Sequence, residues 1–407
     1  MKSALPTVKR RAGPPKGTKL KHSPYKQTDT ASLTIADVVY RGKGLARMEG
    51  QVVFVPRVLP GEVVEVRFTK RHKNFSEATL IEVIQPSPKR IEPVCPLAPV
   101  CPACCYQHVD YAEEVRLKQA QLVNLLQRQA RVDASVCLPP VPSPKPLEYR
   151  NKISLHGAYD GSKVTLGYVG EDNVTVIDVP ACPLAVPPLN ELLAQLRSDA
   201  GFMDQLKTHR SLTLRYTRHD GAIHFFGKPG DGKPWLTETT LLGEVQVPRG
   251  SFFQVNRGVA DSLLSAVLEI LKQSRARTVV DLYCGVGVFA LAAGAAGLSR
   301  IIGIDYDEAG IQAARQNAKE HKLKDTEFVA QPAARGLMQM LRRVAPAGTM
   351  LIVDPPRMGL EKQTVETITR SKPREIVYVS CAADTMVRDV ALLAAGGYRV
   401  VSTQLFD

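Results

Sequence analysis

No stretch of this 407-residue chain is apolar enough for long enough to cross a bilayer, and its basic N-terminus is not followed by the apolar segment of a secretory leader. Those two absences argue against a membrane span and against export, and the expected location is the cytosol. Acidic residues are in short supply: 40 Asp plus Glu stand against 53 Lys plus Arg, for a net charge of +13. A polyanion is the natural partner of such a chain, nucleic acid first. Residues 1–26 contain no acidic residue at all, while Lys and Arg recur through them. Residues 1–30 read as a basic tail, either an arm that contacts phosphates or a disordered, solvated end.

The length exceeds what a single core usually organises, about 250–300 residues, so several domains are expected. From Leu33 to about Ile84, short apolar runs (Thr34 to Val39, Gln51 to Pro56, Glu62 to Phe68, Glu77 to Val83) alternate with turn signals such as Leu59-Pro60-Gly61. This pattern predicts a small oligonucleotide-binding (OB-fold) β-barrel over residues 31–90. Arg41, Lys43, Arg47, Lys70, Arg71, His72 and Lys73 fall around its loops, as suits a phosphate backbone. Residues 91–250 read as a central domain. It holds a Cys- and Pro-rich stretch, a helix from Tyr111 to about Arg131 with Val115, Leu122, Leu125, Leu126 and Ala130 as its buried stripe, a proline linker from Pro139 to Pro146, and a β-rich remainder. From about Asn256, buried strands alternate with helical patterns: Thr278 to Leu282, Ile301 to Asp305, Glu327 to Ala330, Met350 to Asp354 and Glu375 to Ser380. Residues 251–407 are thus expected to be α/β, a doubly wound, Rossmann-like domain with a mostly parallel sheet.

The first of these strands runs into Asp281-Leu282-Tyr283-Cys284-Gly285-Val286-Gly287, and the second ends at Asp305. Glycines at a strand-to-helix turn let a cofactor approach the backbone, and an acidic residue about 20 positions on can bind ribose hydroxyls. The third glycine of a dinucleotide fingerprint is missing, with Phe289 and Ala290 in its place, so S-adenosylmethionine is preferred over NAD. Two later strands end in Val353-Asp354-Pro355-Pro356-Arg357 and Val379-Ser380-Cys381. Ligands of open α/β sheets bind beyond the carboxyl ends of the strands, so Asp354 and Cys381 should face the same crevice. Carbon 5 of uracil is a weak nucleophile until a thiolate adds at carbon 6. Cys381 is placed to supply that thiolate, Asp354 to hold the uracil edge and Phe252 to stack on an extruded base.

These residues resemble the RNA uracil-C5 methyltransferases, and among them the bacterial 23S rRNA enzymes that carry a TRAM domain and an iron-sulfur cluster. The resemblance rests on Phe252-Phe253-Gln254-Val255-Asn256, Asp281 to Gly287, Asp354-Pro355-Pro356-Arg357, and Tyr378-Val379-Ser380-Cys381 followed by Thr385 and Arg388-Asp389. It implies that Gln254, Tyr283, Gly285, Gly287, Asp305 and Asp354 lie at the methyl donor and target base, with Cys381 as nucleophile. It also implies a substrate in 23S rRNA, with a tRNA uridine or a catalytically impaired RNA-binding relative as the alternatives, and a monomeric protein. Cys95, Cys101, Cys104 and Cys182 suit either a cubane cluster or structural zinc by spacing alone. With Gln107-His108 following, they look like the family's [4Fe-4S] ligands.

The sequence also departs from the family. Ala382-Ala383 replaces Asn-Pro after the nucleophile, Val288 follows the glycine turn, and Pro332 stands at the adenine position, where Gln331 could substitute. The family continues beyond Gln404-Leu405-Phe406-Asp407 toward a catalytic Glu and a last antiparallel strand that would lie beside a strand at residues 399–402. The expectation from this comparison is a truncated product with an unpaired sheet edge.

Overall fold

A computed structural model describes residues 29–227 and 234–407, which divide after Pro88 into two compact units. Residues 1–28 of the expected basic tail lie outside the described residues, as do residues 228–233.

In the first unit, β1 (Thr30–Val39), β2 (Lys43–Met48), β3 (Gln51–Pro56), β4 (Val63–Arg71) and β5 (Phe75–Gln85) close a barrel in the order β1-β2-β3-β5-β4. Strand alternation turns Leu33, Ile35, Val53, Val55, Val64, Val66 and Phe68 inward, where they are buried. β2 was not among the expected strands. Its inward position 44 is a glycine, on which a Cβ would stand 2.2 Å from Val58 Cγ2, so the alternation is hidden in the sequence. The buried Glu62 carboxylate fixes the turn before β4 by accepting from Leu59 N at 2.8 Å and Ser87 N at 3.1 Å.

The second unit begins with the cysteine-rich stretch and α1 (Tyr111–Leu125), whose N-terminus is capped by Asp110 and whose last turn widens to a π-helical turn at Leu126–Ala130. Then come β6 (Lys152–Tyr159), β7 (Val164–Val169), β8 (Val176–Asp178), α2 (Pro187–Ser198), α3 (Ala200–Gln205), β9 (Ser211–Thr217) and β10 (Gly221–Phe226). The strands form one sheet in the order β10-β9-β6-β7-β8. The segment read as simply β-rich therefore contains two helices. α2 opens on Pro187-Pro188, where a missing N–H costs nothing, and buries Leu189, Leu193 and Leu196 at helical spacing. A hairpin of β11 (Trp235–Thr240) and β12 (Gly243–Pro248) follows, then α4 (Arg257–Gln273).

The last part alternates β13 (Thr278–Leu282), α5 (Val288–Ala295), β14 (Arg300–Asp305), α6 (Glu308–Glu320), β15 (Thr326–Ala330), α7 (Ala333–Leu341), β16 (Thr349–Val353), α8 (Lys362–Ser371), β17 (Glu375–Tyr378) and α9 (Ala383–Ala395). All five strands are parallel, in the order β15-β14-β13-β16-β17. Aliphatic cores fill both faces, with Val279, Ile301, Met350 and Ile352 on one and Val280, Ile302, Leu351 and Val353 on the other.

Residues 399–402 do not form the expected strand. The main-chain groups that follow them pair instead with the proline linker: Leu138 N donates to Thr403 O, Thr403 N to Val136 O and Val141 N to Leu405 O, all at 2.8–2.9 Å. Backbone polar groups need partners, and here a distant segment of the chain supplies them.

Gly303, in the middle of β14, lets Phe328 pack flat on the sheet. A Cβ there would lie 2.3 Å from Phe328 Cδ1 and 3.0 Å from Cys284 Sγ. Gly303→Ala is expected to cost about 1–3 kcal/mol of stability. Chemical denaturation measures this, and a variant as stable as the parent would contradict the packing described.

Candidate active site

The parallel register sets the site. Leu282 is paired with Ile304 on one side and Val353 on the other, and Val353 with Tyr378. Asp305, Tyr283 and Asp354 therefore leave or end neighbouring strands side by side, on the same edge from which the chain runs on to Cys381. The order reverses between β13 and β16, which is the switch point where an open α/β sheet has its crevice.

The turn after β13 is shaped by three left-handed residues, Tyr283 (φ 68°), Gly285 (φ 50°) and Gly287 (φ 85°). Tyr283 is the unusual one, since a side chain rarely adopts this conformation. Gly287 has a packing reason as well, because a Cβ there would come within 3.1 Å of the Ala314 Cβ on α6. Asp305 ties the turn together: its Oδ2 accepts from Gly285 N and its Oδ1 from Asp307 N, each at 2.9 Å.

Three carboxylates gather here, and their fields overlap. Asp281 is wholly buried, and neither of its oxygens has a hydrogen-bond partner; the Ala290 amide in the first turn of α5 faces it without closing a well-formed bond. Burial, then the charges of Asp354 and Asp305, hold the Asp281 carboxyl well above the usual range. Burial pushes Asp354 up to about 6. Tyr283, beside them, is raised to about 12 for the same reason. Asp281 was not among the residues singled out from the sequence, although a lone carboxylate inside the apolar strand Thr278-Val279-Val280-Asp281-Leu282 was the available signal.

Cys381 is exposed, one residue before Ala382, which caps α9. The segments on either side of it are tied to residues 357–360 by Asp389, a fully buried carboxylate on α9. Asp389 Oδ2 accepts from Leu360 N at 2.6 Å and from the Tyr378 hydroxyl at 2.7 Å, while Oδ1 accepts from Arg388 Nε and Nη2 at 2.9 and 2.7 Å. Arg388 Nη2 also donates to Met358 O at 2.8 Å, and Thr385 Oγ1 to Arg357 O at 3.0 Å. The strand carrying the cysteine, the helix after it and residues 357–360 are thus one hydrogen-bonded assembly. The sequence pattern contained these residues, but their part in spacing the site was not readable from it.

Phe252 and Gln254 lie on an irregular segment between β12 and α4. Phe252 is 71% exposed, which is costly for an aromatic ring, while Gln254 is half-buried. Ser251 Oγ donates to Asp307 Oδ2 at 3.2 Å, joining this segment to the turn after β14.

Cys95, Cys101, Cys104 and Cys182 all line one small cavity, together with Gln107 and Tyr168. Cys101 and Cys182 are buried, and Gln107 Nε2 donates to Cys104 Sγ at 3.3 Å. Burial, then the neighbouring Cys182 and Cys101, raises the Cys104 thiol to about 11. Among the described residues, no three Cys, His, Asp or Glu side chains stand close enough to hold a single ion. Cys105 and Cys137 do not line the cavity, and Cys284 is buried under the glycine turn.

Comparison with known proteins agrees with this architecture. Residues 244–407 match the family model described as tRNA (Uracil-5-)-methyltransferase, and residues 28–81 match the TRAM domain. An uncharacterized RNA methyltransferase of Thermosynechococcus vestitus is 28% identical, over 95% of this chain and 96% of its own length. The 23S rRNA (uracil(1939)-C(5))-methyltransferase RlmD of Pectobacterium atrosepticum is 29% identical, over 92% of this chain and 90% of its own. The crystal structure of Pyrococcus abyssi tRNA (uracil-54, C5)-methyltransferase superposes with a TM-score of 0.66, at 24% identity, over 89% of this chain and 93% of that one, which shows a shared fold. Residues 244–407 thus carry the match to the tRNA (Uracil-5-)-methyltransferase family and residues 28–81 the match to the TRAM domain, and the chain is similar to RNA (uracil-C5)-methyltransferases over most of its length.

Proposed function

We propose that the chain transfers a methyl group from S-adenosylmethionine to carbon 5 of a uridine in 23S rRNA through a covalent adduct at Cys381. The observation that supports this reading is the placement of Asp354 and Cys381 just beyond the ends of the adjacent parallel strands β16 and β17, with the Asp389 assembly joining their segments and the glycine turn on the neighbouring strand. The Cys381 thiolate adds to carbon 6 of the uracil, and the ring electrons move to oxygen 4 as an enolate. Carbon 5 then takes the methyl group from the sulfonium, a base takes the carbon 5 proton, and elimination returns the thiolate. Asp354, held at about 6, is readily kept protonated when a developing enolate lies beside it, and then donates a hydrogen bond where charge accumulates. Phe252 stacks on the extruded base and Gln254 reaches its edge or the donor.

On the donor side, Gly285 and Gly287 give the backbone access, Asp305 takes the ribose hydroxyls and Tyr283 walls the crevice. The donor carries a sulfonium and an ammonium, and the acidic residue Asp305 at the edge of the crevice suits these charges. Residues 91–250 serve as a central domain that completes this crevice, and the protein works as a monomer in the cytosol. The likeness to the RlmD proteins runs through the barrel and favours rRNA, while the family model's description favours tRNA. Methyl transfer to each RNA, measured side by side, decides between them.

The four cysteines share one cavity, and the family resemblance favours an iron-sulfur cluster there over a single zinc ion. Cys95, Cys101, Cys104 and Cys182 would hold a [4Fe-4S] cluster, Gln107 would donate to a ligand sulfur, and Arg150, whose charge acts on Cys104, would balance the cluster's negative charge. The cluster would serve as a structural tie and supply no step of the reaction.

Three outcomes are expected. RNA containing 5-fluorouridine, incubated with S-adenosylmethionine, should form a denaturation-resistant adduct with the parent and none with Cys381→Ser; no adduct with the parent would refute the nucleophile assignment. Anaerobic reconstitution with iron and sulfide should give a brown protein, and Cys104→Ser a nearly colourless one; stoichiometric zinc in a colourless parent would overturn the cluster. Asp354 has a folded value raised from about 3.8, so its stabilising contribution is complete below pH 3.8 and is lost as pH rises through 6. Asp354→Asn should therefore be more stable than the parent at pH 8, by about 2 kcal/mol after discounting partial exposure, and no more stable at pH 4. Its methyl transfer should fall at least 100-fold, and a variant that is both active and unaltered in stability would contradict the role given to Asp354.

A further inference from the structure

Residues 249–255 have no regular structure, yet their carbonyls are gripped by side chains from the β6–β10 sheet region. Arg215, on β9, is 1% exposed, and its partner Glu238, on β11, is 5% exposed. Arg215 Nη2 and Nε donate to Glu238 Oε1 at 2.9 and 3.3 Å. Its Nη1 donates to the carbonyls of Arg249 and Ser251, each at 3.2 Å. Further along, Asn151 Nδ2 donates to Gln254 O at 3.1 Å and Asn151 N to Val255 O at 3.0 Å. The exposed Phe252 lies between these two grips.

A buried ion pair contributes little net stability, because desolvation offsets most of the attraction. The pair does provide a rigid planar fork: the bonds to Glu238 fix the guanidinium plane, and the remaining nitrogen spans two carbonyls. Without such a grip, an apolar ring in water would tend to turn toward the protein, and the segment would have to reorder whenever a base arrived.

We propose that Arg215, fixed by Glu238, is a positioning residue for the target base: it holds the carbonyls of Arg249 and Ser251 so that Phe252 and Gln254 are presented before RNA binds. The proposal rests on the reading of this site as a uracil methyltransferase and names the device that prepares it.

Arg215→Lys keeps a positive charge beside Glu238 but lacks the fork. It should melt within a few degrees of the parent and bind S-adenosylmethionine within threefold. Its kcat/KM for RNA should fall tenfold or more, mainly through KM. A double variant, Arg215→Met with Glu238→Leu, removes both charges together and should show the same split. The sole tryptophan, Trp235, pairs with Pro248 and packs in the same apolar cluster as Phe253, so it reports on the segment independently of activity. Acrylamide quenching of Trp235 should increase in both variants. Parent-like kinetics for RNA in either folded variant would overturn the proposal. So would failure of both to fold, since the pair would then be structural. A parent that methylates no RNA would refute the functional reading instead, and the quenching comparison would still test the grip.

Discussion

Everything at this site depends on the register of five parallel strands. A parallel sheet buried on both faces cannot slip by one residue without turning its aliphatic side chains out of their cores. Because Leu282, Ile304, Val353 and Tyr378 are locked in line, the residues that follow them emerge together along one edge. The gathering of Asp305, Tyr283 and Asp354, with Cys381 just beyond, is therefore a by-product of core packing. The polar chemistry is placed by apolar contacts that lie beneath it.

Register brings the residues to one edge, and buried polar groups then set their spacing. Asp389 accepts four hydrogen bonds from the strand, helix and loop around Cys381, and Arg215 grips the carbonyls of Arg249 and Ser251. Both groups are fully desolvated and fully engaged, the condition under which buried polar networks stiffen a structure. Asp281 is the contrast. Its carboxyl is equally buried, yet neither oxygen closes a well-formed hydrogen bond, and burial holds it well above the usual carboxylate range.

The sheet was legible in the sequence because its strands are short aliphatic runs that end in Asp, Gly or Cys, and those endings also marked Asp354, Cys381 and the glycine turn. The barrel was legible by alternation except at β2, where Gly44 removes the signal. The helix α2 was hidden behind two prolines that look like breakers but sit at its first turn. What the sequence could not show are partnerships across long separations. Arg215 with Ser251, Asn151 with Gln254 and Leu138 with Thr403 are local in space and remote in chain, so neither residue carries a sign of the other. The strand expected at residues 399–402 failed for this reason: the chain there found its partners in the proline linker.

The central claim is methyl transfer to carbon 5 of uridine by way of a thiol adduct, and the carbon 5 hydrogen reports on it directly. RNA carrying tritium at carbon 5 of its uridines should release tritium to water only when S-adenosylmethionine is present, one tritium for each methyl group incorporated. Methyl incorporation without tritium release would place the methyl group on another atom and contradict the account.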